Sequence, residues 1–332
     1  MQYILLILGL VMIIRSADVL IDSSAKIAKR YGISPFIIGI TVVAFGTSAP
    51  ELSVGIISGI TKTNQLTLGN IIGSSLANTA MIIGLTAIIM PLKVKDSVVK
   101  RELPILLGVQ IILSGMLFAD GILSQLDGCI LIMGFIGFVL YIIKDSKNSM
   151  KTKNHLEETI NNKIEGGQTS QEVLNIASKE TLLKLWSYSL ISLVGLFLGG
   201  KLTVDSSTNI AMSLGLSETM IGLTVVAIAT TMPELITSVV AATKKEPDIV
   251  IGNCIGSNIF NILLVLGLSG AISPIPTDMS LWVDITIMLI LTVFIFTITW
   301  IRKKIKRGLG IVLLITYFLY LVFKVVTAIQ LF

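Results

Sequence analysis

Long apolar runs separated by short polar connections dominate the chain. A membrane-spanning helix takes about 20 mostly apolar residues at about 1.5 Å of rise per residue. Ten runs meet that requirement: 3–25, 33–60, 67–90, 103–119, 127–143, 185–210, 217–243, 249–271, 281–301 and 309–329. The pattern predicts an all-α polytopic membrane protein of ten transmembrane helices. Five lie in residues 1–143 and five in 185–332. The first run carries Arg15 and Asp18, and the sixth carries Lys201 and Asp205. At one helical turn apart, these read as intrahelical ion pairs or as side chains reaching for the interface. No basic residue precedes the first apolar run, which therefore reads as a span rather than a cleaved signal. Residues 144–184 are rich in Lys, Glu, Asn, Gly and Ser and read as a flexible linker between the halves. The end of that stretch, Gln171 to Trp186, has the pattern of an amphipathic surface helix.

Composition agrees with burial in lipid. Of 332 residues, 53% are hydrophobic and 14% charged, against roughly 25% charged in soluble domains. The net charge of +5 is a matter of membrane orientation, and no nucleic-acid partner is expected. If the chain changes sides after each run, 21 of the 25 Lys and Arg residues fall on one side and Lys62 alone on the other. Basic residues stay on the cytoplasmic side of short loops. Both termini are thus expected outside an inner membrane, and the 144–184 linker in the cytoplasm. Cys129 and Cys254 lie far apart in apolar runs, and His155 is the only histidine. That set suits neither a disulfide framework nor a zinc site. A membrane-embedded hydrolase would need a nucleophile and a base that the spans do not supply.

A shift of 183 residues superimposes the halves. Ile38–Leu52 reads IGITVVAFGTSAPEL and Ile221–Leu235 reads IGLTVVAIATTMPEL, identical at ten of fifteen positions. At the same offset GNIIGSSLAN (Gly69–Asn78) matches GNCIGSNIFN (Gly252–Asn261), and Asp22-Ser23-Ser24 matches Asp205-Ser206-Ser207. Five spans separate equivalent points, so the copies cross the membrane in opposite senses. In transporters built from such inverted repeats the substrate site lies near the midplane, between the copies. The repeats extend over about 32–90 and 215–271.

What both copies keep is polar. Glu51 and Glu234 fall near the middle of spans two and seven, where an ionised carboxylate costs several kcal/mol unless a cation, a basic partner or a proton offsets it. No basic residue lies within a helical turn of either. A protonated glutamic acid bonded to a neighbouring helix is the plainer alternative. Pro50 and Pro233 leave the carbonyls of Gly46 and Ala229 without their helical partners. Those oxygens are available to an ion or simply accompany a kink. Thr47 and Thr230 stand four residues before the glutamates and share their face; Ser48 and Thr231 lie beside them. On spans three and eight, Asn70, Ser74 and Asn78 recur every four residues, as do Asn253, Ser257 and Asn261. Such stripes serve helix–helix hydrogen bonding as readily as ion binding. Asn70 and Asn253 fit the first role, and Ser74, Asn78, Ser257 and Asn261 the second. The glycines at 69, 73, 252 and 256 suit close packing. An all-oxygen donor set with two carboxylates matches Ca2+, which takes 6–8 oxygens in flexible geometry. Na+ can use the same donors, whereas Mg2+ demands a stricter octahedron and soft metals want sulfur or imidazole.

GTSAPEL and ATTMPEL, each followed by a GNxIGSxxxN element, resemble the paired alpha-repeats of the Ca2+:cation antiporter superfamily, specifically sodium/calcium exchangers of prokaryotic type. The resemblance covers both halves. It implies electrogenic exchange of several Na+ for one Ca2+ by alternating access, with the first and sixth helices sliding across the other eight. It implies that Glu51 and Glu234 are shared by both ions and that Thr47 and Thr230 give backbone oxygens to Ca2+. Ser48, Thr231, Ser74, Ser257 and the carbonyls of Ala44 and Ala227 would serve outer Na+ sites, and Asn78 would face Asn261 centrally. Ca2+ and Na+ are then transported substrates; no cofactor, enzymatic activity or obligatory protein partner is expected. Two departures stand out. Ala229 occupies a position where the family usually has glycine, and an amide at Asn261, where K+-dependent relatives carry aspartate, argues against K+ co-transport. Exchange of Ca2+ or another cation for H+ is the nearest alternative, since glutamates carry protons; a cation channel is the alternative from another class.

Overall fold

The computed structural model describes residues 1–62, 65–163, 182–214, 225–277 and 281–330. It is helical, with two short ribbons. The helices are α1 (Gln2–Tyr31), α2 (Pro35–Thr47), α3 (Ala49–Thr61), α4 (Thr67–Ile89), α5 (Val98–Asp120), α6 (Gln125–Lys163), α7 (Leu182–Ser213), α8 (Ala227–Thr230), α9 (Met232–Thr243), α10 (Pro247–Ile272), α11 (Leu281–Arg302) and α12 (Arg307–Gln330). Among the described residues, eight helices are long and apolar enough to cross a membrane, and α2 with α3 forms a further span bent by 48°. Part of the predicted seventh span, 217–224, lies outside the described residues, as does 171–181 of the predicted surface helix. The first twenty residues of the polar 144–184 stretch continue α6 without a break, to Lys163.

Burial orders the helices. In α10 94% of the spanning window is buried and in α4 78%, whereas α1, α6, α7 and α12 are 17–28% buried. The central pair is thus enclosed by protein, and the outer helices present rows such as Ile4, Ile7 and Val11, or Ile311, Ile315 and Phe318, to the lipid. Close approach at the centre depends on glycine. A side chain at Gly252 or Gly256 of α10 would strike the backbone of Phe36 or Ile40 on α2 at 2.6–2.7 Å. The helices α1 and α7 pack along each other, and Gly9 meets Thr203 and Gly199 there.

The two ribbons tie the halves together. Leu92–Lys93 pairs antiparallel with Lys304–Ile305, and Ile122–Leu123 with Ile275–Pro276. A shift of 183 turns one ribbon into the other: 92 becomes 275 and 122 becomes 305. Of the two readings of the charges in span one, the intrahelical pair is absent among the described residues: Asp18 is bound by Lys244 of the α9–α10 turn, at 2.7 Å, rather than by Arg15.

Candidate ion site

The site is built at two helix breaks. Proline has no N–H to donate, and at a helix start none is required. Pro50 accordingly stands in the first turn of α3 and Pro233 in that of α9. Before the new helices, Ser48 (φ −81°, ψ 5°) leaves α geometry, whereas Thr231 (φ −78°, ψ −6°) stays within the α region. Each break puts a glutamate in the first turn that follows. The positive end of the helix dipole favours a carboxylate there, which partly offsets the cost of burial.

Glu51, Glu234, Thr47, Thr230, Ser74, Ser257, Asn78 and Asn261 have no exposed surface, and Ser48 and Thr231 have almost none. The two carboxylates lie close enough to feel each other's charge. Ser48 donates to Glu234 Oε1 at 3.2 Å, and Thr47 stands beside the same carboxylate. Thr230 and Ser74 stand beside Glu51. Nevertheless both oxygens of Glu51 and Oε2 of Glu234 have no hydrogen-bond donor, and neither glutamate has a basic partner among the described residues.

The hydroxyls are held by amides of the central helices. Thr47 Oγ1 donates to Asn253 Oδ1 at 3.1 Å, and Thr230 Oγ1 to Asn70 Oδ1 at 3.1 Å. These two bonds are exchanged by the 183-residue shift. Asn253 also donates to Ser238 Oγ at 3.0 Å and to the Glu234 carbonyl at 3.4 Å. Ser257 Oγ meets Thr47 Oγ1 at 3.4 Å, and Asn261 Nδ2 donates to Ser74 Oγ at 3.4 Å. The Ala44 carbonyl accepts from Ser48 N and Thr47 Oγ1; the Ala227 carbonyl accepts from Thr231 N, Thr230 Oγ1 and, at 2.7 Å, Thr231 Oγ1. Asn78 takes Asn258 as its amide partner, at 2.9 Å, and the Oδ1 atoms of Asn78 and Asn261 remain without donors among the described residues.

Among the described residues, five buried acceptor oxygens on Glu51, Glu234, Asn78 and Asn261 therefore have no donor. An unsatisfied buried acceptor costs about 1–3 kcal/mol, more for a charged group. A set of acceptors with no donor is chemically suited to a cation.

Three features were not anticipated from the residues. Asn258, which also donates to Thr79 Oγ1 at 3.1 Å, lies one position off the four-residue stripe. Its signal was the amide that replaces Ser75 in the other copy. Ser238 showed no motif. Both central helices also widen to π geometry at the amides, over Ala77–Ile82 and Asn261–Leu266. Such turns occur often at functional sites, and nothing in composition marks them.

Residues 1–144 and 184–326 match the sodium/calcium exchanger protein family. The chain belongs to that family. The exchanger is 34% identical to the sodium/calcium exchanger MaX1 of Methanosarcina acetivorans, over 97% of each chain. It is 33% identical to the inner membrane protein YrbG of Escherichia coli, over 93% of this chain and 92% of that one. Its fold matches the sodium-calcium exchanger NCX_Mj, in a structure soaked with Na+ and Sr2+, with a TM-score of 0.80, 28% identity and 97% coverage of each chain. The exchanger is thus a membrane-embedded, multi-span cation antiporter.

Proposed function

We propose that the protein exchanges Na+ for Ca2+ by alternating access, with several Na+ moving against one Ca2+ and net charge crossing the membrane. The observation that carries this reading is the pair of buried carboxylates, Glu51 and Glu234, without basic partners among the described residues, together with the donor-less amide oxygens of Asn78 and Asn261. Two carboxylates match the charge of Ca2+, and carbonyl and hydroxyl oxygens complete a shell of 6–8. Na+ draws on the same oxygens, so the two ions compete for one site, as exchange requires. In this reading Glu51 and Glu234 serve both ions, with Thr47 and Thr230 giving backbone oxygens to Ca2+. Ser48, Thr231, Ser74, Ser257, Ala44 and Ala227 serve Na+, and Asn78 and Asn261 line the centre.

The reading includes ten spans in two inverted repeats of five. Among the described residues, eight long helices and the bent α2–α3 pair support nine of these spans, and the shorter apolar helix α9 falls within the remaining predicted run. The ribbons that interchange under the 183-residue shift, and the paired Thr47–Asn253 and Thr230–Asn70 bonds, support a two-fold relation between halves. The basic residues support termini outside the inner membrane and a cytoplasmic 144–184 linker.

Isotopic Ca2+ uptake into sealed vesicles, with Na+, K+ and pH gradients imposed singly, tests the reading. Uptake driven by a Na+ gradient at clamped pH, and altered by membrane potential, is expected. Uptake driven only by a pH gradient would replace Na+ with H+ as the coupling ion.

A further inference from the structure

Lys244, in the turn between α9 and α10, reaches across to α1. Its ammonium lies 2.7 Å from the carboxylates of both Asp18 and Asp22 and 2.8 Å from the Asp18 carbonyl. Asp18 and Asp22 are four residues apart and share a face of α1, so one cation holds two turns of the helix. This contact lies on the side that the basic residues assign to the cytoplasm.

The corresponding place on the other side is open. A cleft of about 270 Å³ runs between α3 and α7, lined by Pro50, Ser53, Val54, Lys201, Val204 and Asp205 among others. It reaches Pro50, the neighbour of Glu51. Shifted by 183, those six positions become Pro233, Ile236, Thr237, Asp18, Ile21 and Asp22. There the surfaces are closed: Ile21 and Thr237 have no exposed area, and α1 packs along α9. Two of the residues that line the outer cleft thus correspond to the two aspartates that Lys244 grips. The grip itself is not duplicated. The position matching Lys244 is Thr61, and Asp18 is matched by Lys201, so the three-charge contact cannot form on the outer side.

We propose that Lys244, with Asp18 and Asp22, is a latch that holds shut the cytoplasmic approach to Glu51 and Glu234, and that its absence from the other repeat biases the protein toward the state open to the outside. The inference rests on the alternating-access reading above. Opening the cytoplasmic side separates α1 from α9 and breaks all three contacts, whereas opening the outer side breaks none of them. A contact present in one state alone shifts the population by its full worth. Lys244 is a positioning residue: it touches no transported ion and sets which side the site faces.

The test uses the full-length protein in sealed vesicles of known orientation, with Cys129 and Cys254 replaced by serine and alanine. One reporter, Ile236→Cys, lies on the cytoplasmic approach; the other, Val54→Cys, lines the outer cleft. Each is labelled with a membrane-impermeant maleimide from its own side, with no transported ion present. Lys244→Gln, and separately the Asp18→Asn/Asp22→Asn pair, are expected to speed cytoplasmic labelling of the first reporter about three- to tenfold and to slow outer labelling of the second. Lys244→Arg, which keeps the charge, is expected to leave both rates near those of the parent. The half-saturating Ca2+ concentration on the cytoplasmic side is expected to fall with Lys244→Gln. Unchanged labelling in a monodisperse Lys244→Gln protein overturns the latch, and so does faster labelling at both reporters, which is general loosening. Because labelling needs no transported ion, the two readings fail separately. A labelling shift without Na+-coupled Ca2+ flux sinks the antiport reading alone; coupled flux with unmoved labelling sinks the latch alone.

Discussion

The hydroxyl of Ser48 donates to Oε1 of Glu234 at 3.2 Å, across the interface between the halves. The matching hydroxyl, Thr231, turns back instead to the Ala227 carbonyl of its own helix, at 2.7 Å. Among the described residues Glu51 has no donor at hydrogen-bond distance, while Glu234 has one. The two carboxylates are related by sequence and differ in their surroundings.

That difference has a measurable consequence. Ser48→Ala removes a bond to a charged group, worth about 1.5–3 kcal/mol, and is expected to change ion affinity by about tenfold or more. Thr231→Ala removes only a bond to a backbone carbonyl and is expected to shift affinity by less than about fivefold. Titration of Ca2+-dependent flux in the two variants compares them directly. Equal effects would mean that the hydroxyls are used alike once an ion is bound.

Replacing either carboxylate by its amide removes one of two charges facing a divalent ion. Glu51→Gln and Glu234→Gln are each expected to reduce Ca2+ transport at least about 100-fold, since about 2.7 kcal/mol of charge-assisted bonding corresponds to that factor. Both variants should fold, because the amide preserves shape and removes a buried charge. Full exchange in either one would sink the assignment.

Protons compete with metal ions for carboxylates. Ca2+ transport is therefore expected to weaken as the pH falls, and raised Ca2+ should restore it. A rate flat down to pH 5, measured with the Na+ gradient held constant, would show that these groups do not exchange protons during turnover.

Asn253 makes three polar contacts, with Thr47, Ser238 and the Glu234 carbonyl. Asn253→Ala strands those partners inside the protein. A loss of about 2–4 kcal/mol is expected from one or two unsatisfied groups. Asn70, whose Nδ2 has no acceptor among the described residues, should cost less when replaced by alanine. Thermal unfolding in detergent compares the two.

The shift that relates Gly256 to Gly73 also pairs two different environments. A methyl group at Gly256 would meet Ala44 Cβ and the Ile40 carbonyl at 2.7 Å, whereas at Gly73 its nearest neighbour is Ala227 Cβ at 3.8 Å. Gly73→Ala is expected to fold normally. Gly256→Ala, which forces α2 and α10 apart, is expected to cost about 1–3 kcal/mol. Comparable unfolding temperatures would show that the α2–α10 crossing has slack.

Much of this was readable before any coordinates. Lipid, being apolar, forces every exposed position to be apolar, so the spans stand out by length and the polar exceptions by rarity. Glu51 and Glu234, their threonines and the prolines that start α3 and α9 were recoverable from the 183-residue repeat. A helix period then assigns each side chain a face and a depth. The pairing of partners was not recoverable. Arg15 lies one turn from Asp18, yet the ammonium that holds Asp18 comes from Lys244, 226 residues away. Asn78 and Asn261 are equivalent by repeat, yet Asn78 bonds Asn258.

The chain itself determines that the protein lies in the membrane, which residues stand at mid-depth, and that two carboxylates occur in equivalent places, because periodicity and proline chemistry act over one or two helical turns. Tertiary structure alone decided which hydroxyl meets which carboxylate, where the central helices widen, and which aspartates Lys244 reaches. Those outcomes depend on how side chains meet between helices remote in sequence, and a repeat that is alike in pattern need not be alike in packing.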